Sequence, residues 1–134
     1  MGEQLIQLAK PFAPRLVMPA AQGKHGDYVN QAVVNQKLLT VLGPFDFHIV
    51  REIYDDGILT GIIGRLECEI DGRITSIEEC GDVENPNVDK TNGARLKKAS
   101  SDAFKRCASR IGVGLDLWSK PDYFLYDELK KEQS

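Results

Sequence analysis

Residues 92–114, NGARLKKASSDAFKRCASRIGVG, decide the fold expected of this chain. Placed at about 100° per residue, they divide into an apolar face and a basic face, as in an amphipathic helix. Thr91 or Asn92 can cap the start of this helix, and Gly112 can end it in a left-handed conformation. The apolar face consists mostly of small side chains: Leu96, Ala99, Ser100, Ala103, Phe104, Cys107 and Ile111. Such a face predicts a helix that lies close against a sheet, with Ala103 touching the sheet.

The opposite face of this helix is a stripe of cations. Residues 95–110 contain six basic residues and one acid, a net charge of +5, whereas the rest of the chain carries −8. A charge run of this kind is often only a solvated helix face. Positive charge gathered on one helix of an acidic chain is also the pattern expected of a localised anion site. We interpret the stripe as a phosphate-binding ridge and keep the solvated face as the alternative.

The segments before the strands predict two further helices. Residues 3–9 have the apolar content of a short helix, and three prolines then interrupt regular structure, so that 1–26 is predicted to form an N-terminal arm that is mostly extended. Apolar residues at helical spacing predict a second helix over 28–42. Asp27 is its candidate N-cap, and Gly43 ends it.

The central part of the chain predicts three antiparallel strands. Apolar and polar residues alternate over 45–53, and two more strand patterns follow at 58–70 and 73–80. Asp55-Asp56-Gly57 and Asp71-Gly72 are hairpin turn sequences, so the strands should form a meander. The fold class predicted is therefore α+β, with an α-α-β-β-β-α core in which a three-stranded antiparallel meander is covered by the basic helix.

Length and composition indicate one domain over 1–134. Residues 81–91 are polar and turn-rich and predict a loop. The apolar residues of 115–134 must pack on something, either the core of the same chain or a neighbouring subunit. No apolar run approaches the roughly 20 residues of a membrane span. The three cysteines form no Cys-x-x-Cys pair and suit a reducing compartment, so a cytoplasmic location without membrane association is expected.

The run SDAFKRCASRIGVG, with its basic pair and Ile-Gly-Val-Gly ending, resembles the signature helix of the Rad-fifty-two family of single-strand annealing proteins. That family includes phage annealing proteins and the A-type DNA-damage-response proteins of bacteria. A second, upstream similarity joins Gly26-Asp27-Tyr28-Val29, Thr40-Val41-Leu42-Gly43 and Phe45-Asp46-Phe47. The resemblance covers roughly residues 3 to 118.

The resemblance implies a recombinase that acts without ATP. Such a protein binds single-stranded DNA and anneals complementary strands in homologous recombination or double-strand break repair, in a bacterial or phage-infected cell. It also implies a homo-oligomer, either a ring or an open arc, and makes a single-strand-binding protein a candidate partner. It assigns Lys105 and Arg106 to the DNA groove, and a further cation to the loop before Tyr28, where Arg15, Lys24 and His25 are available. The family's next arginine corresponds to Ser109, with Arg110 shifted by one position.

The stripe and the resemblance together give one set of DNA-binding candidates. They are Lys105, Arg106, Lys98, Arg95, Arg110, Lys97, Lys90, Lys24 and Tyr28. Phosphate contacts from a row of Lys and Arg hold the backbone without reading sequence and leave the bases free to pair.

Signals of enzymatic chemistry are weak. Glu67 and Glu69 lie on one face of a predicted strand and could bind Mg²⁺, but exposed strand carboxylates are usually only solvated. The chain has no phosphate-binding loop of the Gly-x-x-x-x-Gly-Lys-Ser/Thr type. We therefore expect no catalytic residue, no metal site and no cofactor. Two alternatives stay open: an interaction module whose basic helix docks an acidic protein partner, and a small metal-dependent nuclease that uses the strand acids.

Overall fold

The computed structural model describes residues 2–20 and 26–132. Two helices precede the sheet, α1 (Glu3–Ala9) and α2 (Gln31–Leu42). The strands are β1 (Asp46–Asp55), β2 (Ile58–Ile70) and β3 (Arg73–Asp82), and three helices follow them. These are α3 (Asn92–Ser109), α4 (Leu115–Ser119) and α5 (Leu125–Lys131). The protein is α+β, and the predicted α-α-β-β-β-α order is confirmed, with two short helices added at its end.

The three strands form one antiparallel sheet in the order β1-β2-β3. Both hairpins turn at an Asp-Gly pair in which the two residues have positive φ, 49° and 79° at Asp56 and Gly57, and 51° and 83° at Asp71 and Gly72. This is the left-handed pair that a two-residue hairpin turn requires, so the predicted meander is confirmed. The register places Asp46 opposite Glu67; the β1–β2 pairing then shifts between Ile49 and Arg51 and between Ile53 and Tyr54, whereas β2 and β3 pair without a shift.

Helix α3 lies on one face of this sheet, at close range. Ala99 and Ala103 are fully buried. Gly81 of β3 has no room for a side chain: a Cβ there would lie 2.1 Å from the Ala99 carbonyl oxygen and 2.5 Å from the Ala103 amide nitrogen. The prediction that a small-residue face allows close packing, with Ala103 on the sheet, is confirmed.

A larger apolar cluster fills the space between α2, α3 and the other half of the sheet. Phe104 of α3 stacks on Phe45, with ring centroids 5.7 Å apart, and meets Phe47 edge-on at 5.4 Å. Leu38 of α2 and Leu66 of β2 are fully buried in the same cluster. Aromatic pairs of this geometry add to the stabilisation from burial itself. Helix α3 is thereby fixed between the sheet and α2.

The start of α2 differs from the sequence-based prediction. The helix begins at Gln31 rather than Tyr28, because the Tyr28 backbone pairs with Met18 in an antiparallel bridge with N···O distances of 2.7 and 3.0 Å. Asp27 does not cap α2, since its carboxylate accepts a hydrogen bond from the Ala20 amide at 3.3 Å. Tyr28 therefore lies in an extended segment beside α3.

The described segments near the two ends of the chain contain more regular structure and more contacts than an extended arm and a free tail would have. A 3₁₀ turn at Pro14–Leu16 follows α1, so the arm is not simply extended. The hydroxyl of Tyr123, just before α5, donates a hydrogen bond to the Ala9 carbonyl at the end of α1. Leu117 packs against the larger apolar cluster, whereas Phe124 stays 69% exposed. The C-terminal segment thus packs in part on its own domain.

Candidate nucleic-acid interface

A groove of about 500 Å³ runs beside the C-terminal half of α3. One wall is the extended segment 26–29, the other is α4 with the residues around it, and α3 forms the floor. Polar and charged side chains from all three elements line it: Asp27, Tyr28, Asp102, Lys105, Arg106, Ser109 and Lys120. Val113, Leu117 and Trp118 supply apolar surface. The groove therefore combines cations, two acids and aromatic rings.

Lys105 joins the floor of the groove to one of its walls. Its Nζ donates a hydrogen bond to the Val29 carbonyl oxygen at 3.0 Å and lies 5.4 Å from the centre of the Tyr28 ring, a cation–π distance. Burial lowers the pKa of Lys105, and the carboxylate of Asp102 partly offsets that effect. The ammonium has three donors, and the carbonyl uses one of them. Lys105 can hold the segment at Tyr28 and still contact an anion.

Arg106 is oriented by an acid one turn earlier on α3. Its Nε donates to Asp102 Oδ2 at 3.2 Å, and the same oxygen accepts the Asp82 amide at 3.1 Å. Burial raises the pKa of Asp82, and the hydrogen bond and negative charge of Asp102 raise it further. The terminal guanidinium nitrogens of Arg106 make no hydrogen bond to any described residue, which leaves a planar fork for a phosphate.

Two exposed aromatic side chains flank this pair of cations. Trp118 on α4 is 58% exposed and lies 5.9 Å from the Arg106 guanidinium carbon, measured to the ring centre. Tyr28 on the opposite wall is 41% exposed. Sequence reasoning placed Trp118 among apolar packing residues and did not select Lys120 or Asp102 for the site. A tryptophan just beyond a basic helix was the available signal, but only the path of the chain after Gly114 shows which way it turns.

The other predicted cations that the structure describes do not join the groove. Arg95 is held by the loop before α3: its guanidinium donates to the Pro86 and Asp89 carbonyls at 2.8 and 2.6 Å, and to Asn92. Lys98 pairs with the Asp89 carboxylate at 3.0 Å. These contacts stabilise the loop over residues 86–92. Both cations therefore already have partners within the chain.

The remaining candidates fall in three places. Lys90 and Lys97 are exposed and form no ion pair with the described part of the chain. Arg110 faces β3, where its guanidinium lies 3.5 Å from the Glu79 carboxylate. Lys24 lies outside the described residues. Among the described residues, the structure thus brings Lys105, Arg106 and Tyr28 together and leaves the other predicted cations elsewhere.

Arg15, a candidate for the loop cation of the annealing groove, lies in a different depression. This second groove, of about 460 Å³, lies between the chain after α1 and helix α2, and Lys10 and Lys37 also line it. Lys37 donates to the Lys10 carbonyl and stands 4.5 Å from the centre of the Phe12 ring. Burial lowers the pKa of Lys37 to about 8. Arg15 therefore does not share a pocket with Lys105 and Arg106.

The strand acids considered for a nuclease are arranged differently from a paired-carboxylate site. Glu67 Oε1 accepts a hydrogen bond from Arg65 Nε at 2.7 Å, and Glu69 is exposed near the end of β2. Asp46 and His48 of β1, rather than Glu69, approach Glu67 as possible ligands. The sequence could not show this cluster, because only the register of the β1–β2 hairpin brings residues 46 and 48 beside residue 67.

No known protein-family model matches this chain, and no curated protein sequence matches it. Within residues 2–20 and 26–132, no helix has the length and apolar character needed to cross a membrane.

Proposed function

We propose that this protein binds single-stranded DNA in the groove beside α3 and anneals complementary strands without a nucleotide cofactor. The observation that carries the proposal is the convergence of Lys105 and Arg106. Adjacent helix residues point about 100° apart, yet both side chains line one groove, each beside an exposed aromatic ring. A merely solvated helix face would not direct neighbouring cations into a shared concave site.

The chemistry of the groove suits a sugar–phosphate backbone. The free fork of Arg106 can bind a phosphate in a bidentate manner, and the ammonium of Lys105 can add a point charge beside it. Asp27 and Asp102 limit how much negative charge the groove accepts, which favours an extended single strand over the denser charge of a duplex. Backbone contacts of this kind leave bases available for pairing.

The resemblance supplies the biological setting of the proposal. We infer a role in homologous recombination or double-strand break repair, as a non-enzymatic recombinase in the cytoplasm of a bacterial or phage-infected cell. A single-strand-binding protein is a candidate partner, because it would occupy the same substrate before annealing.

A direct test measures binding and annealing together. The full chain should bind a fluorescently labelled single-stranded oligonucleotide more tightly than the matching duplex, with affinity that falls as salt rises. It should also speed the pairing of two complementary oligonucleotides with no ATP present. Binding to polyglutamate as tight as to the oligonucleotide, without annealing, would favour a module that docks an acidic protein. Cleavage of DNA that requires a divalent metal would favour the nuclease.

The small number of groove cations supports the proposal of a homo-oligomer. Of the described residues, three cations line the groove, Lys105, Arg106 and Lys120, so the logarithm of the affinity should fall with the logarithm of salt at a slope of only about −2 per chain. A monomer of this kind binds weakly at physiological salt. Identical grooves repeated head-to-tail would form one track and raise affinity through effective concentration.

The sheet offers a structural route to such an assembly. In the order β1-β2-β3, strands β1 and β3 each pair on one side only within the part of the chain that the structure describes. Exposed apolar residues also lie along β1, among them Ile49, Val50 and Ile53. Sedimentation velocity should show a ring or arc of many subunits. A monomer at micromolar concentration that persists after long single-stranded DNA is added would exclude the assembly.

A further inference from the structure

Three potential metal ligands meet on the face of the sheet that looks away from α3. They are Asp46 and His48 of β1 and Glu67 of β2, and their ligand atoms all lie within 4.8 Å of one another. The antiparallel register sets Asp46 directly opposite Glu67, and side-chain alternation puts His48 on the same face as Asp46. The neighbours of Glu67 on β2, Leu66 and Cys68, are buried beneath α3, so this cluster lies on the opposite side of the sheet from the groove.

The two carboxylate oxygens of Glu67 have different surroundings. Oε1 is fixed by Arg65 Nε at 2.7 Å. Oε2 lies 3.8 Å from His48 Nε2, too far for a hydrogen bond. Two ligands on one tetrahedral ion, with bonds of about 2.0–2.1 Å, stand roughly 3.4 Å apart. If the two side chains moved slightly closer together, His48 Nε2 and Glu67 Oε2 could therefore bind the same ion.

The arrangement also has the outer contact that metal-binding carboxylates usually have. Arg65, which lies opposite His48 in the sheet, fixes Oε1 of Glu67 and leaves Oε2 nearer to His48, as an outer partner of a ligand would do. The local charge is negative, because Asp46 lies beside Glu67, and Arg65 already pairs with both Glu67 and the nearby Glu78. An exposed ion pair between His48 and Glu67 alone would contribute little to stability, and it would not account for Asp46 lying beside them.

We propose that Asp46, His48 and Glu67 bind a divalent transition-metal ion of the Zn²⁺ class and thereby join β1 to β2. One imidazole with two carboxylates suits Zn²⁺ or Mn²⁺ better than Mg²⁺, which favours oxygen ligands and keeps several waters. Three protein ligands leave at least one coordination position open to solvent. The site is independent of DNA binding in the groove, and either can exist without the other.

The test is a zinc titration of the full chain against a chromophoric chelator, with any affinity tag removed. It is run in a Cys80→Ser background, because Cys80 is an exposed free thiol that would itself attract Zn²⁺. We expect one Zn²⁺ per chain, bound more tightly than Mn²⁺, with Mg²⁺ unable to compete. His48→Gln and Asp46→Asn should each weaken binding by at least about 10-fold, the lower end of the loss seen when even an outer partner of a ligand is removed.

Two matched controls separate the site from general attraction to acids or histidines. Glu69→Gln removes a carboxylate from the same strand and face as Glu67, and His25→Gln removes the only other histidine of the chain. Both should keep the affinity of the parent. Thermal unfolding without metal confirms that each variant is folded, and zinc should raise the melting temperature of the parent and the controls alone. Non-saturable binding, full affinity in His48→Gln, or an equal loss in either control would overturn the proposal.

Discussion

Replacing Lys105 and Arg106 together with glutamine is the most informative perturbation of the groove. If each contacts one phosphate, the variant loses two contacts, and the salt slope should change by about 1.4, from about −2 towards about −0.7. The same relation at ~0.1 M salt gives a loss of about 1.4 log units, or roughly 25-fold in affinity. The matched control is Lys97→Gln with Lys98→Gln, which removes the same charge from the same helix outside the groove.

The assay is fluorescence anisotropy of a labelled single strand between about 50 and 200 mM salt. The control pair should lose less than about 3-fold, since unspecific attraction at these distances is screened over a Debye length of about 10 Å. Equal losses in the two double variants would mean that the whole stripe binds as a diffuse surface. An unchanged slope in the Lys105 and Arg106 variant would remove the groove from the DNA site.

The structure also revises what this variant should do to folding. If both side chains were simply exposed cations on a helix face, almost no change in stability would be expected. Lys105, however, donates to the Val29 carbonyl, and Arg106 neutralises Asp102 beside Asp82. Loss of one hydrogen bond and one partly exposed ion pair predicts a decrease of about 1–2 kcal/mol in the free energy of unfolding. Binding must therefore be measured well below the melting temperature of the variant.

Three further predictions concern the scaffold. Ala103→Leu should overpack the contact between α3 and the sheet and cost roughly 1–3 kcal/mol by chemical denaturation, because Gly81 leaves no space there; unchanged stability would show that the buried face of α3 is wrongly assigned. Thr91→Ala removes the hydroxyl that accepts the Ala94 amide at 3.1 Å and should cost about 1 kcal/mol, whereas Thr91→Ser should retain most of that stability. Lys37 has a folded-state pKa of about 8 against 10.5 when exposed, so the unfolded state binds more protons between those values and stability should rise with pH across that window. The difference in unfolding free energy between the parent and Lys37→Met should follow that rise, and a pH-independent difference would contradict it.

Local patterns were enough to predict most of the scaffold. Both Asp-Gly pairs form hairpin turns, because the left-handed backbone they need is a property of two adjacent residues. The small face of α3 was readable from spacing alone. The start of α2 was not, since the Met18–Tyr28 bridge depends on a partner ten residues away that no local signal reveals.

The only property of the site that could be predicted from the sequence was its positive charge. The basic stripe identified Lys105 and Arg106, but a helical projection treats all exposed cations alike. It could not show that the carbonyls of Pro86 and Asp89 enclose Arg95, or that α4 turns Trp118 towards Arg106. Both facts depend on how loops fold back on the helix, and these contacts are set by tertiary packing.

The near contact of Gly81 with the backbone of α3 has a mechanical consequence. A helix seated this closely on a strand cannot slide or roll without a steric clash, so α3 and the sheet should behave as one rigid body. In a head-to-tail assembly, the pitch of the DNA track would then be set where one subunit meets the next, at the edges β1 and β3. If the proposed assembly forms through those edges, variants that change the number of nucleotides held per subunit should arise there, whereas substitutions in the groove should change only the affinity for each phosphate.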